Sequence, residues 1–75
     1  MSQLLDEVAR RRRVPAPAVA RAIRVEAGVS QQRLADEVGV HRMTVARWEA
    51  GERRPRGAMA ARWAEVLDSL REAAS

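Results

Sequence analysis

Arginine is the residue type whose placement in this sequence could do chemistry. All 14 basic residues are Arg, and the 75-residue chain carries a formal net charge of +4. Four of them form the run at residues 10–13, and five fall within residues 42–56, where the only acids are Glu49 and Glu52. A guanidinium group presents a planar fork of donors that matches phosphate oxygens and the edge of guanine. Two concentrated basic segments therefore predict a directed interaction with an anionic partner.

Other kinds of chemistry find little support in the residue types. The chain has no Cys and one His, so disulfides, metal sites and His-based catalysis are not expected. The carboxylates have no nucleophile, paired acid or Gly-rich phosphate loop to act with, and we expect no enzyme activity, no cofactor and no small-molecule ligand. No apolar run approaches the ~18 residues of a membrane span, which predicts a soluble, cytoplasmic protein.

The composition predicts an all-α fold in one domain, residues 1–75. A chain of this length holds one modest core. Ala is the commonest residue, while Phe and Tyr are absent, which favours a compact four- or five-helix bundle over a sheet. Residues 1–14 are expected to form a helical extension with Ser2 as its cap, a narrow stripe of Leu4, Leu5 and Val8, and Pro15 beyond its end.

Caps and helix breakers bound the other predicted helices. The second begins near Pro17, ends at Gly28 and is expected to bury Val19, Ala22, Ile23 and Ala27. Ser30 caps the third helix over residues 31–38, which ends at Gly39, and the fourth spans residues 42–50 and ends at Gly51. The C-terminal helix lies within residues 57–75. Its apolar residues repeat at helical spacing: Met59, Trp63, Val66, Leu67 and Leu70.

The third and fourth predicted helices are separated by only Gly39, Val40 and His41, the arrangement of a helix-turn-helix. Ala35 is small enough to let the helices approach, and Gly39 accepts the left-handed backbone of the turn. Val40, Val45 and Trp48 are predicted to face inward, with Trp48 and Trp63 in the core. The outward face is then formed by Arg42, Met43, Ala46 and Arg47.

Residues 18–56 resemble the phage-repressor and Cro-like helix-turn-helix family of the Xre type, which has the lambda repressor-like DNA-binding fold. The resemblance rests on three motifs at the family's spacing: AGVSQQRLA, the turn VGV, and WEAG followed by a basic loop with a proline. Departures are His41 where Ser or Thr is common, Trp48 in place of a smaller aliphatic residue, Arg33 in place of an acid, and the unaligned first fourteen residues.

The resemblance implies a role for each matching residue. Arg42, Met43 and Arg47 match the base-reading positions. Arg24 and Glu49 match a structural ion pair between the first family helix and the recognition helix. The positions that hold phosphates are matched by Gln31, Thr44, Arg53, Arg54 and Arg56.

The arginine run lies outside the resemblance and leaves its role open. Arg10, Arg11, Arg12 and Arg13 could contact phosphates, enter a minor groove as an arm, or only complement a helix dipole.

The resemblance implies a sequence-specific double-stranded DNA-binding regulator, associated with the nucleoid of a bacterial host cell. We expect a small repressor or Cro-like protein of phage or mobile-element origin, acting as a homodimer on two half-sites about 34 Å apart. Its dimer contact would come from the apolar face of the C-terminal helix or from the N-terminal stripe. The alternatives are an excisionase-like architectural factor, an antitoxin with a protein partner, or an amphipathic chain on acidic membranes.

Overall fold

Four helices make up most of the computed structural model, which describes residues 3–5 and 14–74. They are α1 (Pro17–Glu26), α2 (Gln31–Val38), α3 (Arg42–Ala50) and α4 (Gly57–Ala74). Residues 3–5 are also helical, and no strand occurs in the part of the chain that the structure describes. The expected all-α fold is therefore confirmed. Of the predicted N-terminal helix, Ser2 and residues 6–13 lie outside the described residues.

The turn between α2 and α3 is fixed by local hydrogen bonds and one glycine. Ser30 Oγ accepts from the Arg33 backbone N–H at 3.1 Å, which caps α2 as predicted. At the other end Gly39 adopts φ +89°, where a side chain would be strained. The N–H groups of Gly39 and Val40 both donate to the Ala35 carbonyl, at 2.8 and 3.0 Å. The chain therefore leaves α2 sharply and enters α3 after only three residues.

All four helices contribute side chains to the core. Trp63 and Leu67 of α4 are buried, and the Trp63 ring meets Trp48 of α3 edge to face, with centroids 4.9 Å apart and planes at 65°. This arrangement is favourable for two aromatic rings. The predicted inward positions of Trp48 and Trp63 are confirmed. The buried apolar cluster comprises Ala20, Ile23, Leu34, Ala35, Val38, Val45, Trp48, Trp63, Val66 and Leu67.

The buried face of α1 differs from the predicted one. Ile23 is buried as expected, but Val19 and Ala22 are exposed, and Ala20 packs into the core instead. The reason is that Arg24 points inward toward Glu49. The prediction used apolar residues alone and did not allow for a charged side chain on the buried face. The predicted buried face of α1 is therefore rotated about the helix axis from the observed one.

The apolar face of α4 is used within the folded chain. Trp63, Val66 and Leu67 are buried in the core, and Met59 and Leu70 pack against it. This burial leaves only the partly exposed Met59 and Leu70 of that face for the dimer contact that the sequence analysis allowed there. Among the described residues, no helix combines the length and the apolar character needed to cross a membrane.

Two valines within helices, one buried and one exposed, provide a test of this core. Val45 is 0% exposed and Val25 is 56% exposed. Val45→Ala should lower the free energy of unfolding by about 2 kcal/mol, because it removes buried methyl groups and leaves a cavity. Val25→Ala, the matched control, should change it by less than about 0.5 kcal/mol. Urea unfolding followed by tryptophan fluorescence measures both, and equal losses would show that α3 is not seated on the core as described.

Candidate nucleic-acid interface

One face of helix α3 packs against the other helices, and the rest of its surface is exposed to solvent. Val45, Trp48 and Glu49 are buried against α1, α2 and α4. Arg42, at the N-terminal end of the helix, and Arg47 are exposed to solvent, and Met43 is half exposed. The outward face predicted from the sequence is therefore accessible to a large ligand.

A largely buried ion pair between Arg24 and Glu49 holds the packed face of α3 against α1. The Arg24 Nε donates to Glu49 Oε2 at 2.7 Å, and Arg24 Nη2 donates to Glu49 Oε1 at 3.0 Å. The third guanidinium nitrogen, Nη1, donates to the Val29 carbonyl at 2.9 Å. Since only 12% of the Arg24 side chain and 3% of the Glu49 side chain are exposed, the pair holds α1, the α1–α2 turn and α3 in one geometry.

The hydrogen bonds from Arg24 to Glu49 also favour the charged form of the arginine. They raise the pKa of Arg24 above its usual value, against a smaller opposing effect of burial. The guanidinium of Arg24 therefore carries its charge at neutral pH.

Gln31 joins this ion pair to the exposed surface. Its Nε2 donates to Glu49 Oε1 at 3.1 Å, and its Oε1 accepts from Arg42 Nη1 at 3.5 Å, a long contact. The family resemblance assigns Gln31 only to a phosphate and did not reveal its bond to Glu49. The sequence holds one signal: Arg42 and Glu49 are seven residues apart, which places them on the same side of a helix.

The other predicted phosphate-binding residues are brought together along one groove. Thr44 is half-buried in the first turn of α3, and the loop arginines are exposed. The groove between α3, the 52–56 loop and α4 is lined, among others, by Thr44, Arg47, Arg53, Arg54 and Arg56.

The exposed charge of residues 42–56 is more positive than the sequence count of that segment indicates, although Glu65 and Asp68 of α4 also line the groove. Within residues 42–56, Glu49 is turned inward and neutralised by Arg24, whereas Glu52 remains exposed. The five arginines of that segment therefore face solvent with a single exposed carboxylate among them.

The arginine run at Arg10, Arg11, Arg12 and Arg13 lies outside the described residues. Val14, which follows directly on Arg13, is half-buried and lines the same groove as Thr44 and Arg47.

Comparison with protein families identifies the class of this chain. A family model described as helix-turn-helix matches residues 21–72, from α1 to the last turns of α4. The chain belongs to the Xre and lambda repressor-like helix-turn-helix family, and it is a DNA-binding transcription regulator of that type. Comparison with curated proteins and with solved structures gave no significant match.

The buried pair predicts separate effects on stability and on binding. Glu49→Ala should lower the free energy of unfolding by about 3–5 kcal/mol, because it leaves Arg24 without its counter-charge in a desolvated site. DNA affinity should fall mainly through the unfolded fraction. Urea unfolding and duplex titration, the latter at a temperature where the variant remains folded, measure the two effects.

Glu37→Ala is the matched control for that variant. The Glu37 side chain is exposed, and its Oε1 lies 3.8 Å from Arg62 Nη2. Removing this surface ion pair should change the free energy of unfolding by less than about 1 kcal/mol. A Glu49→Ala protein that melts like the wild type but does not bind DNA would contradict the structural role of the pair.

Proposed function

We propose that this protein is a sequence-specific regulator that inserts α3 into the major groove of double-stranded DNA, acting as a small repressor or Cro-like protein. The observation that carries the proposal is the division of α3 into two faces. Arg42, Met43 and Arg47 are exposed on one side, while burial of the other fixes the helix on its scaffold. A rigid helix with accessible arginines is what direct readout of bases requires.

The exposed residues have distinct proposed roles. Arg42 lies in the first turn of α3 and Arg47 in the last. Each guanidinium can donate two hydrogen bonds to O6 and N7 of a guanine, and Met43 can contact a thymine methyl group. These contacts would specify sequence.

A second set of residues would position the protein on the DNA backbone. Thr44 and the three arginines of the 52–56 loop border one groove beside α3, and Gln31 lies at the N-terminus of α2, where backbone N–H groups favour an anion. Phosphate contacts of this kind fix register without reading sequence. The run Arg10–Arg13 is proposed as an additional arm, since Val14 brings the chain to the same groove.

A homodimer is the proposed binding unit. One recognition helix covers only a few base pairs, and two copies on half-sites about 34 Å apart would give the affinity that a single helix lacks. The N-terminal stripe is the proposed contact, because Leu4 and Leu5 are exposed. Val8, its third member, lies outside the described residues.

Selection of bound duplexes from a random library at physiological salt tests the proposal. We expect enrichment of an inverted repeat. No enrichment, with binding that only fades as salt rises, would indicate backbone contacts alone and an architectural role.

Arg42→Ala and Arg47→Ala should each abolish the preference for one base pair of the enriched site. The binding free energy to the site with the preferred base should weaken by about 1–3 kcal/mol, the discrimination that one bidentate contact provides. Competition titration against duplexes substituted at single positions measures this. Arg71→Ala, which removes the same charge from the last turn of α4, is the control and should leave every preference intact.

Substitution of a loop arginine should affect DNA binding differently from substitution of the base-reading Arg42 or Arg47. Arg54→Gln should weaken binding to all duplexes alike and reduce the slope of log K against log salt by about 0.9, because one fewer phosphate is neutralised. Titrations at several salt concentrations give that slope. A selective loss at one base pair would instead make Arg54 a base reader.

A further inference from the structure

A cleft between α2 and α4 has an apolar floor that the folded chain leaves partly open. Leu34 and Val66 line it and are buried, whereas Val29 and Leu70, which also line it, are half-buried. None of the residues around this α2–α4 cleft belongs to the set proposed to contact DNA. A protein segment can therefore occupy the cleft while α3 lies in the major groove.

The N-terminal end of the chain carries apolar side chains that its own fold does not bury. Leu4 and Leu5 belong to the helical stretch at residues 3–5 and are 65% and 67% exposed. They have the largest exposed fractions among the large apolar side chains of the described residues. Leucines left in water in this way favour association with a second apolar surface.

The size of the α2–α4 cleft suits these two side chains. An apolar cavity of about 150 Å³ holds one benzene molecule. The cleft has a volume of about 340 Å³, so it has room for the two four-carbon side chains of Leu4 and Leu5.

The rim of the cleft leaves one charge of each sign without an ion-pair partner among the described residues. Arg62 Nη2 lies 3.8 Å from Glu37 Oε1, so these two rim charges offset each other. Arg33 on α2 and Glu65 on α4 also line the cleft and are exposed. An incoming segment that carries charges of both signs is thus matched by the two walls.

The N-terminal segment carries such charges directly after its leucines. Asp6 and Glu7 come next in the sequence, and the arginine run begins at Arg10. The acids can pair with Arg33, and the arginine run can pair with Glu65. Charge complementarity at the edge of an apolar contact fixes its register and disfavours wrong partners.

We propose that the α2–α4 cleft receives Leu4 and Leu5 of a second copy of this chain, in a reciprocal exchange about a two-fold axis. A second copy is the source because both leucines are exposed on their own chain. The inference rests on the proposed homodimer and gives its contact a place. It brings together the two surfaces that the sequence analysis offered as alternatives, since Leu70 belongs to the apolar face of α4. Two-fold symmetry doubles the contact, because each copy supplies one segment and one cleft.

Disulfide cross-linking tests which residues meet, because the chain contains no Cys of its own. Gln3→Cys and Ser69→Cys are prepared as separate proteins, one with a mass tag, and mixed under oxidising conditions. Gln3 is exposed beside the leucines, and Ser69 is exposed at the cleft. In the control mixture Val25→Cys replaces Ser69→Cys, since Val25 is exposed on α1 and does not line the cleft. The mixed disulfide dimer should form at least about tenfold faster than in that control, because docking raises the local thiol concentration.

Two cross-linking results would overturn the docking site. One is an equal rate in the two mixtures. The other is a disulfide within a single chain that carries both Gln3→Cys and Ser69→Cys, with no mixed dimer from the separate variants. The segment would then fill the cleft of its own chain.

Dimer affinity tests the contribution of the leucines. Leu4→Ser combined with Leu5→Ser should raise the dimer dissociation constant at least about tenfold, because two apolar side chains per copy lose their burial. Val19→Ser combined with Val25→Ser is the matched control: these valines are also exposed and lie outside the cleft, so the constant should not change. Sedimentation equilibrium measures both variants, and circular dichroism shows that each retains its helices. Equal dissociation constants would contradict the inference.

The rim charge has its own test. Arg33→Glu should raise the dimer dissociation constant about threefold, the size of a surface charge effect. Asp6→Arg with Glu7→Arg in the same chain should restore it, because the pair is then re-formed with its signs exchanged. Failure of this restoration would show that the acids do not meet Arg33.

The outcomes distinguish this inference from the proposed function. If an inverted repeat is enriched but no cross-link forms through Ser69→Cys, the docking site is wrong and the dimeric regulator stands. If the cross-link forms and no repeat is enriched, the docking site stands and sequence-specific reading is wrong. A wild-type chain that stays monomeric both free and on DNA would overturn the docking site together with the homodimer.

Discussion

The desolvated carboxylate of Glu49 is the group on which the arrangement of this domain depends. A buried anion is costly unless its oxygens are bound by donors. Here three donors meet it, two from Arg24 and one from Gln31. Because these side chains come from α1 and α2 while Glu49 belongs to α3, satisfying one carboxylate fixes three helices relative to one another. Packing of apolar side chains alone would define those angles less sharply, since burial is not directional.

The polarity of the surface follows from the same constraint. Turning Glu49 inward removes an anion from the most basic segment of the chain, and its counter-charge comes from another helix. The outer face of α3 and the following loop are left with exposed arginines. A predominantly positive surface over a helix and its flanking loop attracts a polyanion such as DNA and favours rapid association.

The small core imposes a second constraint. In a chain without Phe or Tyr, the two tryptophans supply the large apolar volume. Trp48 takes the place of the smaller aliphatic residue common in the family, and its ring reaches Trp63 of α4. The long C-terminal helix therefore braces α3 directly, at the cost of using its apolar face inside the monomer.

The sequence by itself determined α1 to α4, most of their boundaries and the helix-turn-helix. Those features depend on local signals: Ser30 as a cap, glycines at positive φ, and apolar spacing in α2 and α4. The family motifs also indicated Arg24 and Glu49 as partners. The tertiary structure decided the rest. The inward turn of Arg24 set the buried face of α1, and burial of the α4 stripe removed it from the surface. The bond between Gln31 and Glu49 joins residues 18 positions apart. The buried face of α1 and the bond of Gln31 escaped prediction because a buried polar group follows its partner across the fold and not the apolar period of its own helix. The burial of the α4 face was not decided by its period, because that depends on which helices pack against it.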